Sequence, residues 1–177
     1  MLQDQHSAGL DVTLPDGDEN SEANSTTPTA LARLMEYDWD KYVALPVHTT
    51  LEVVEQPQVI DVPGCAYYGL GMLRWQDRYL PLLDLRTLLN AYKKPGGPPM
   101  RYALVVTYQA APFEPVRYGA MAMIGLPQTM QVGDHMQAPL PSDSDLWPQV
   151  ALSCFAHQQR IVPIVDTARL FNSSSTR

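Results

Sequence analysis

One segment of the chain occurs twice. Arg78-Tyr-Leu-Pro-Leu-Leu-Asp-Leu-Arg-Thr-Leu-Leu89 returns as Arg160-Ile-Val-Pro-Ile-Val-Asp-Thr-Ala-Arg-Leu-Phe171, 82 residues later. Arg, Pro, Asp and Leu keep their offsets, and Gln76 matches Gln158 just upstream. The apolar pairs Tyr79/Ile161, Leu80/Val162, Leu82/Ile164, Leu83/Val165 and Leu89/Phe171 stay apolar. Two apolar residues, a Pro, two more apolar residues and an Asp describe a short buried strand that must stop. Pro gives no N–H to a sheet ladder, so the pattern predicts that each strand lies at an edge or a bulge. Asp84 and Asp166 then stand where a helix begins, each followed by apolar residues at helical spacing. Each reads as an N-cap, its carboxylate accepting a backbone N–H. A chain built on two such units divides into two related halves.

Charge separates the start of the chain from the rest. Residues 1–30 hold six acids (Asp4, Asp11, Asp16, Asp18, Glu19, Glu22) and no Lys or Arg, within an overall net charge of −7. The remainder is nearly neutral and has no basic stripe, which argues against nucleic-acid binding. Residues 1–29 are too polar to offset the entropy of ordering, so the expectation is a disordered acidic tail before a domain over residues 30–177. The start shows no signal peptide, and no run reaches the ~20 apolar residues that span a bilayer, so a cytoplasmic protein is expected, with no membrane insertion. Cys65 and Cys154 form no metal spacing. A disulfide between the halves stays open, with two buried thiols favoured in a reducing compartment.

Along the chain, Ala30 to Tyr37 reads as a short helix capped by Thr29, with Leu31, Leu34 and Met35 on one side. After Tyr42 come short apolar runs bounded by turn residues. They number roughly ten, at the regular spacing of small barrels or a sandwich. Tyr68 to Leu73 is interrupted by Gly69 and Gly71, which predicts a bend or a close backbone approach. Trp75-Gln-Asp-Arg78 reads as a hairpin turn, and Leu85 to Tyr92 as a short helix. Met121, Met123, Met130 and Met136 read as core filler.

No residue pattern nominates an active site. The histidines (His6, His48, His135, His157) have no metal-ligand spacing, so no metal or cofactor is expected. One Asp per half, with Thr after Asp166, raises the alternative of an aspartic-type hydrolase with an Asp84/Asp166 dyad. The tight Thr-Gly loop that such a dyad needs is absent after both, which favours two helix caps. Arg74, at the tip of a hairpin and beside Trp75, stands equally well for a partner anchor and for a solvated turn charge.

At these residues the chain resembles the CheW-like family, the coupling proteins of bacterial chemotaxis and related pilus-control pathways. The matching segments are Leu45-Pro-Val-His-Thr-Thr-Leu-Glu-Val53, Val62-Pro63, Gly69-Leu-Gly-Met-Leu-Arg74 and Leu80-Pro-Leu-Leu-Asp-Leu-Arg86, within about residues 42–171. Trp75 stands where the family pattern has a second Gly. The resemblance implies a mainly β fold: two five-stranded SH3-like β-barrels around a shared core, with short helices. The barrels would span roughly 42–95 and 100–171, with strands exchanged between them possible. It also implies a non-enzymatic adaptor coupling a chemoreceptor cytoplasmic domain to the regulatory domain of a histidine kinase, in a flagellar or a type IV pilus (twitching) pathway. The family's surface Glu matches Glu52, and its coupling Gly and Arg match Gly69 and Arg74. Trp75 joins them as a candidate partner contact.

Overall fold

The computed structural model describes residues 28–90 and 97–172. The tail expected over residues 1–29 falls outside this range up to residue 27. Thr29 itself is folded, because it opens a strand that pairs with Gly133.

The elements in chain order are β1 (Thr29–Asp38), β2 (Lys41–Pro46), β3 (Thr50–Glu55), β4 (Val59–Ile60), β5 (Gly69–Trp75), β6 (Arg78–Leu83) and α1 (Leu85–Asn90), then β7 (Tyr102–Tyr108), β8 (Arg117–Met123), β9 (Gln128–Gly133), α2 (Trp147–Val150), β10 (Ala151–His157), β11 (Arg160–Val165) and α3 (Thr167–Asn172). They form two curled sheets, with strand orders β10-β11-β2-β1-β9 and β3-β7-β8-β6-β5-β4. The expected mainly β architecture with short helices is therefore present, and its curled sheets agree with small barrels. The first two strands sit in the sheet that also holds β9, β10 and β11, while β7 and β8 sit with β3 to β6. Neither half of the sequence makes a sheet alone.

Each sheet curls around a small core of its own. Leu73, Leu80, Leu82, Ala103, Val105 and Ala120 fill the six-stranded one. Ala32, Leu34, Ala44, Phe155 and Val162 fill the five-stranded one. A larger core between the sheets contains Met35, Leu45, Leu104, Met121, Trp147, Val165 and Phe171. Strands such as β7 and β8 are buried on both faces, which explains why their apolar runs are nearly continuous rather than alternating.

The segment expected as a helix over Ala30 to Tyr37 is β1. Ala32 and Leu34 face the interior of their sheet, while Met35 and Tyr37 face the central core. A strand with both faces buried produces the same apolar positions as a one-sided helix over so few residues. Pairing with β2 on one side and β9 on the other decides the matter. The prolines also correct an expectation. Pro81 and Pro163 lie in inner strands, not edge strands. They are tolerated because the parallel ladders beside them are short: β6 meets β8 only at Leu82 and Leu83, and β11 meets β2 only at Ile164.

The repeat is kept in three dimensions. Strand β5, strand β6 and helix α1 are reproduced by β10, β11 and α3 at the same offset. Both copies have a register irregularity near the start of the first strand, at Gly69/Gly71 and Ala151/Ser153. Both turn through a Gln with positive φ, Gln76 at 50° and Gln158 at 47°. Both lay the Arg after the turn on a tyrosine of a neighbouring strand: Arg78 over Tyr118 at 5.0 Å, and Arg160 over Tyr42 at 5.1 Å.

Candidate functional site

The two repeated aspartates act locally. Asp84 Oδ1 accepts the N–H of Arg86 at 3.1 Å, and its Oδ2 accepts the hydroxyl of Thr87. Asp166 Oδ1 accepts the N–H of Ala168 at 2.8 Å. Their backbones are held alike, Asp84 N–H to Tyr68 O at 2.8 Å and Asp166 N–H to Val150 O at 2.9 Å. Each carboxylate thus starts its own helix, satisfying a donor that the first turn leaves open. This arrangement overturns the dyad alternative, because the oxygens a shared proton would need are engaged in two separate caps. Among the described residues no group of three or more His, Cys, Asp and Glu is placed to hold a metal ion. The cysteines are both free; Cys154 is buried, but Cys65 is exposed, contrary to expectation.

The partner residues expected from the sequence separate onto two faces of the β5–β6 hairpin. In its register Arg74 is opposite Tyr79 and Trp75 is opposite Arg78. Successive strand side chains point to opposite faces, so Arg74 and Trp75 point apart. The outer face carries Arg74 and Tyr79, together with Met72, Pro81 and Ile60, which lie in one row across β4, β5 and β6. Ile60 is 48% exposed and Tyr79 56% exposed, Arg74 is exposed, and Met72 and Pro81 are half-buried. Toward β7 and β8 the same sheet face passes into the central core at Leu83, Leu104 and Met121. The exposed row is therefore the uncovered end of an otherwise buried surface.

On the inner face, Trp75 is half-buried against the small core, and its Nε1 donates to Glu52 Oε2 at 2.7 Å. Glu52 and Trp75 thus meet, from β3 and β5. Nothing in their spacing signals this bond, since it depends on the curl of the sheet.

Gly69 begins β5, about 17 Å along the strand from Arg74 at ~3.4 Å per residue. A Cβ there would meet Ala66 O at 3.2 Å, a tight but ordinary backbone. The more demanding position is Gly71, with φ +119° and the carbonyl of Ile60 where a Cβ would lie. The sequence predicts a close approach at both glycines, and the family resemblance points to Gly69.

Arg86, the last residue of the matching Asp-Leu-Arg run, turns inward. Its Nε lies 3.3 Å from Asp38 Oδ1, with both side chains mostly buried, which ties α1 to β1. That pair was not foreseen, because Asp38 lay beyond the helix expected for β1.

The model of the CheW-like domain matches residues 39–175. The chain belongs to the CheW-like family. A solved structure agrees in fold: the scaffolding protein TtCheW from Thermoanaerobacter tengcongensis matches with a TM-score of 0.66 at 12% identity, over 81% of this chain and 93% of that one. A search of curated proteins finds no match. CheW-like proteins are non-enzymatic scaffolds of chemotaxis-type signalling, and this chain is one of them. No helix among the described residues is long and apolar enough to cross a membrane.

Proposed function

We propose that this CheW-like chain couples a chemoreceptor cytoplasmic domain to the regulatory domain of a histidine kinase, and that the outer face of the β5–β6 hairpin is one docking surface. The observation that carries this is the row Ile60–Met72–Pro81 with Tyr79 and Arg74 beside it, in which Ile60, Tyr79 and Arg74 are exposed and Met72 and Pro81 half-buried, at the end of a sheet face that passes into the central core. An Arg next to an aromatic ring and apolar side chains has the composition of a binding hot spot. In this reading the output is a type IV pilus (twitching) pathway. The support is the chain's departure from the plain coupling pattern, in Trp75 and in the acidic run at residues 1–30.

Recovery of both partners on immobilised protein tests the coupling. Arg74→Glu, kept folded by circular dichroism, should recover at least about tenfold less of one partner, since truncating a hot-spot Arg costs ~2 kcal/mol or more and reversal adds repulsion. Equal recovery by wild type and variant would make Arg74 a solvated charge. A deletion strain that swims poorly but twitches normally would move the output to the flagellar pathway.

A further inference from the structure

The inner face of the hairpin carries an arrangement that the docking row does not use. Trp75 Nε1 bonds Glu52 Oε2, and the indole ring packs 5.8 Å from Tyr118 at an interplanar angle of 37°. Arg78, across the hairpin from Trp75, lies over the Tyr118 ring. Strands β3 and β5 do not pair, and they stand near opposite ends of the six-stranded order. The indole therefore bridges the two ends of the curled sheet and holds Glu52 at its mouth.

A neutral N–H fixes one carboxylate oxygen without compensating the charge. No Lys, Arg or His of the described residues forms an ion pair with Glu52. Arg78, on the strand beside Trp75, is placed on an aromatic ring instead. Glu52 is exposed, among the described residues only its Oε2 is hydrogen-bonded, and Trp75 is half-buried. The result is an exposed carboxylate, oriented by the indole N–H and in no ion pair among the described residues, beside a half-buried indole.

We propose that Trp75 and Glu52 form a prepositioned receptor for one arginine side chain of the partner protein, its guanidinium bonding Oε1 and lying on the indole. A planar guanidinium satisfies both demands at once, whereas an ammonium makes a point contact. Trp75 is then a specificity-determining residue of this chain, standing where the family pattern has Gly. Fixing the Glu52 side chain before binding removes part of the cost of ordering it in the complex. The inference rests on the adaptor reading, in which Glu52 belongs to a partner surface.

The test is calorimetric titration with two probes, the purified regulatory domain of the cognate kinase and the cytoplasmic domain of the cognate receptor, each at low and high salt. The variants are Trp75→Phe, Glu52→Gln, the double variant and Arg74→Glu, with unfolding midpoints measured for all. Trp75→Phe keeps an aromatic ring over Tyr118 and loses the N–H. It should weaken one probe about three- to tenfold, the worth of one side chain no longer ordered in advance. Glu52→Gln should weaken the same probe by at least as much and flatten its salt dependence. The double variant should be weaker than Glu52→Gln by less than Trp75→Phe alone predicts, because Trp75 acts through Glu52. Which probe responds identifies the protein that carries the arginine. Unchanged or tighter binding by Trp75→Phe, while Glu52→Gln and Arg74→Glu still weaken it, overturns this inference and leaves the adaptor reading standing. Glu52→Gln without effect on either probe likewise overturns this inference, whatever Arg74→Glu does, and only failure of the wild type to bind either probe overturns the adaptor reading itself.

Discussion

Replacing each capping aspartate with alanine should destabilise the protein unequally, although the two caps are copies of one motif. Asp166 supplies one backbone cap, to Ala168, and a side-chain pairing with Arg169 at 3.4 Å whose Arg is about half exposed. An N-cap replaced by Ala costs about 0.5–2 kcal/mol, and an exposed ion pair adds little. Asp84 supplies the equivalent cap to Arg86 and also accepts the hydroxyl of Thr87, which is only 3% exposed. Stripping the partner from a buried hydroxyl costs a further ~1–3 kcal/mol. Asp84→Ala should therefore lose roughly 2–4 kcal/mol and Asp166→Ala roughly 1 kcal/mol. Asparagine should rescue most of the loss at Asp166, since it caps about as well as Asp. At Asp84 the rescue should be partial, because the amide oxygen can still accept the Arg86 N–H but the NH2 that replaces the second oxygen can only donate, which leaves the Thr87 hydroxyl proton without its acceptor. Urea unfolding at neutral pH reads these differences as midpoint shifts, provided the slope is unchanged. In thermal melts each kcal/mol corresponds to about 2–4 °C for a chain of this size. Equal losses for the two alanine variants, or a larger loss at Asp166, would refute the assignment of the Thr87 hydroxyl to Asp84. A double variant Asp84→Ala/Thr87→Val that is more stable than Asp84→Ala alone would support it directly.

Gly71→Ala should destabilise by more than ~1 kcal/mol, because its φ of +119° and the nearby Ile60 carbonyl both oppose a Cβ; Gly69→Ala should cost less, and a reversed order in urea midpoints would remove the argument. Acid stability should depend on Asp143. Burial raises the pKa of its carboxyl, but hydrogen bonds from Lys41 and Trp147 and the Lys41 charge outweigh burial and lower it overall. Since the folded pKa lies below the unfolded one, this contribution is present above about pH 4 and lost as pH falls through the folded value. Asp143→Asn should therefore be less stable than wild type at pH 7, with the gap narrowing as pH falls below about 4, which urea midpoints across that range would show; a gap that widens toward acid would contradict the pairing.

Features that follow from a few adjacent residues could be read directly. The duplicated strand–Asp–helix unit is local: apolar residues, a Pro, and a carboxylate two residues from the N–H it caps. Both caps and the hairpin through Gln76 and Asp77 therefore match the expectation, as do Met121 and Met123 in the core. The glycine pair could be located, but choosing between Gly69 and Gly71 required the actual φ and the position of the Ile60 carbonyl. Strand β1 was misread because, over ten residues, a strand buried on both faces and a one-sided helix share their apolar positions. The remaining features belong to the tertiary structure because each joins residues that no local pattern relates. Pairing of β2 with β11 and of β6 with β8 crosses the two halves. The Asp38–Arg86 ion pair spans β1 and α1, and the Trp75–Glu52 bond closes a curled sheet between strands that do not pair. The sequence alone determined where each unit starts and stops, through hydrogen bonds made within a turn. The packing of units against one another decided which side chains face a partner, because the face of a strand is set by register and curl and not by the order of residues.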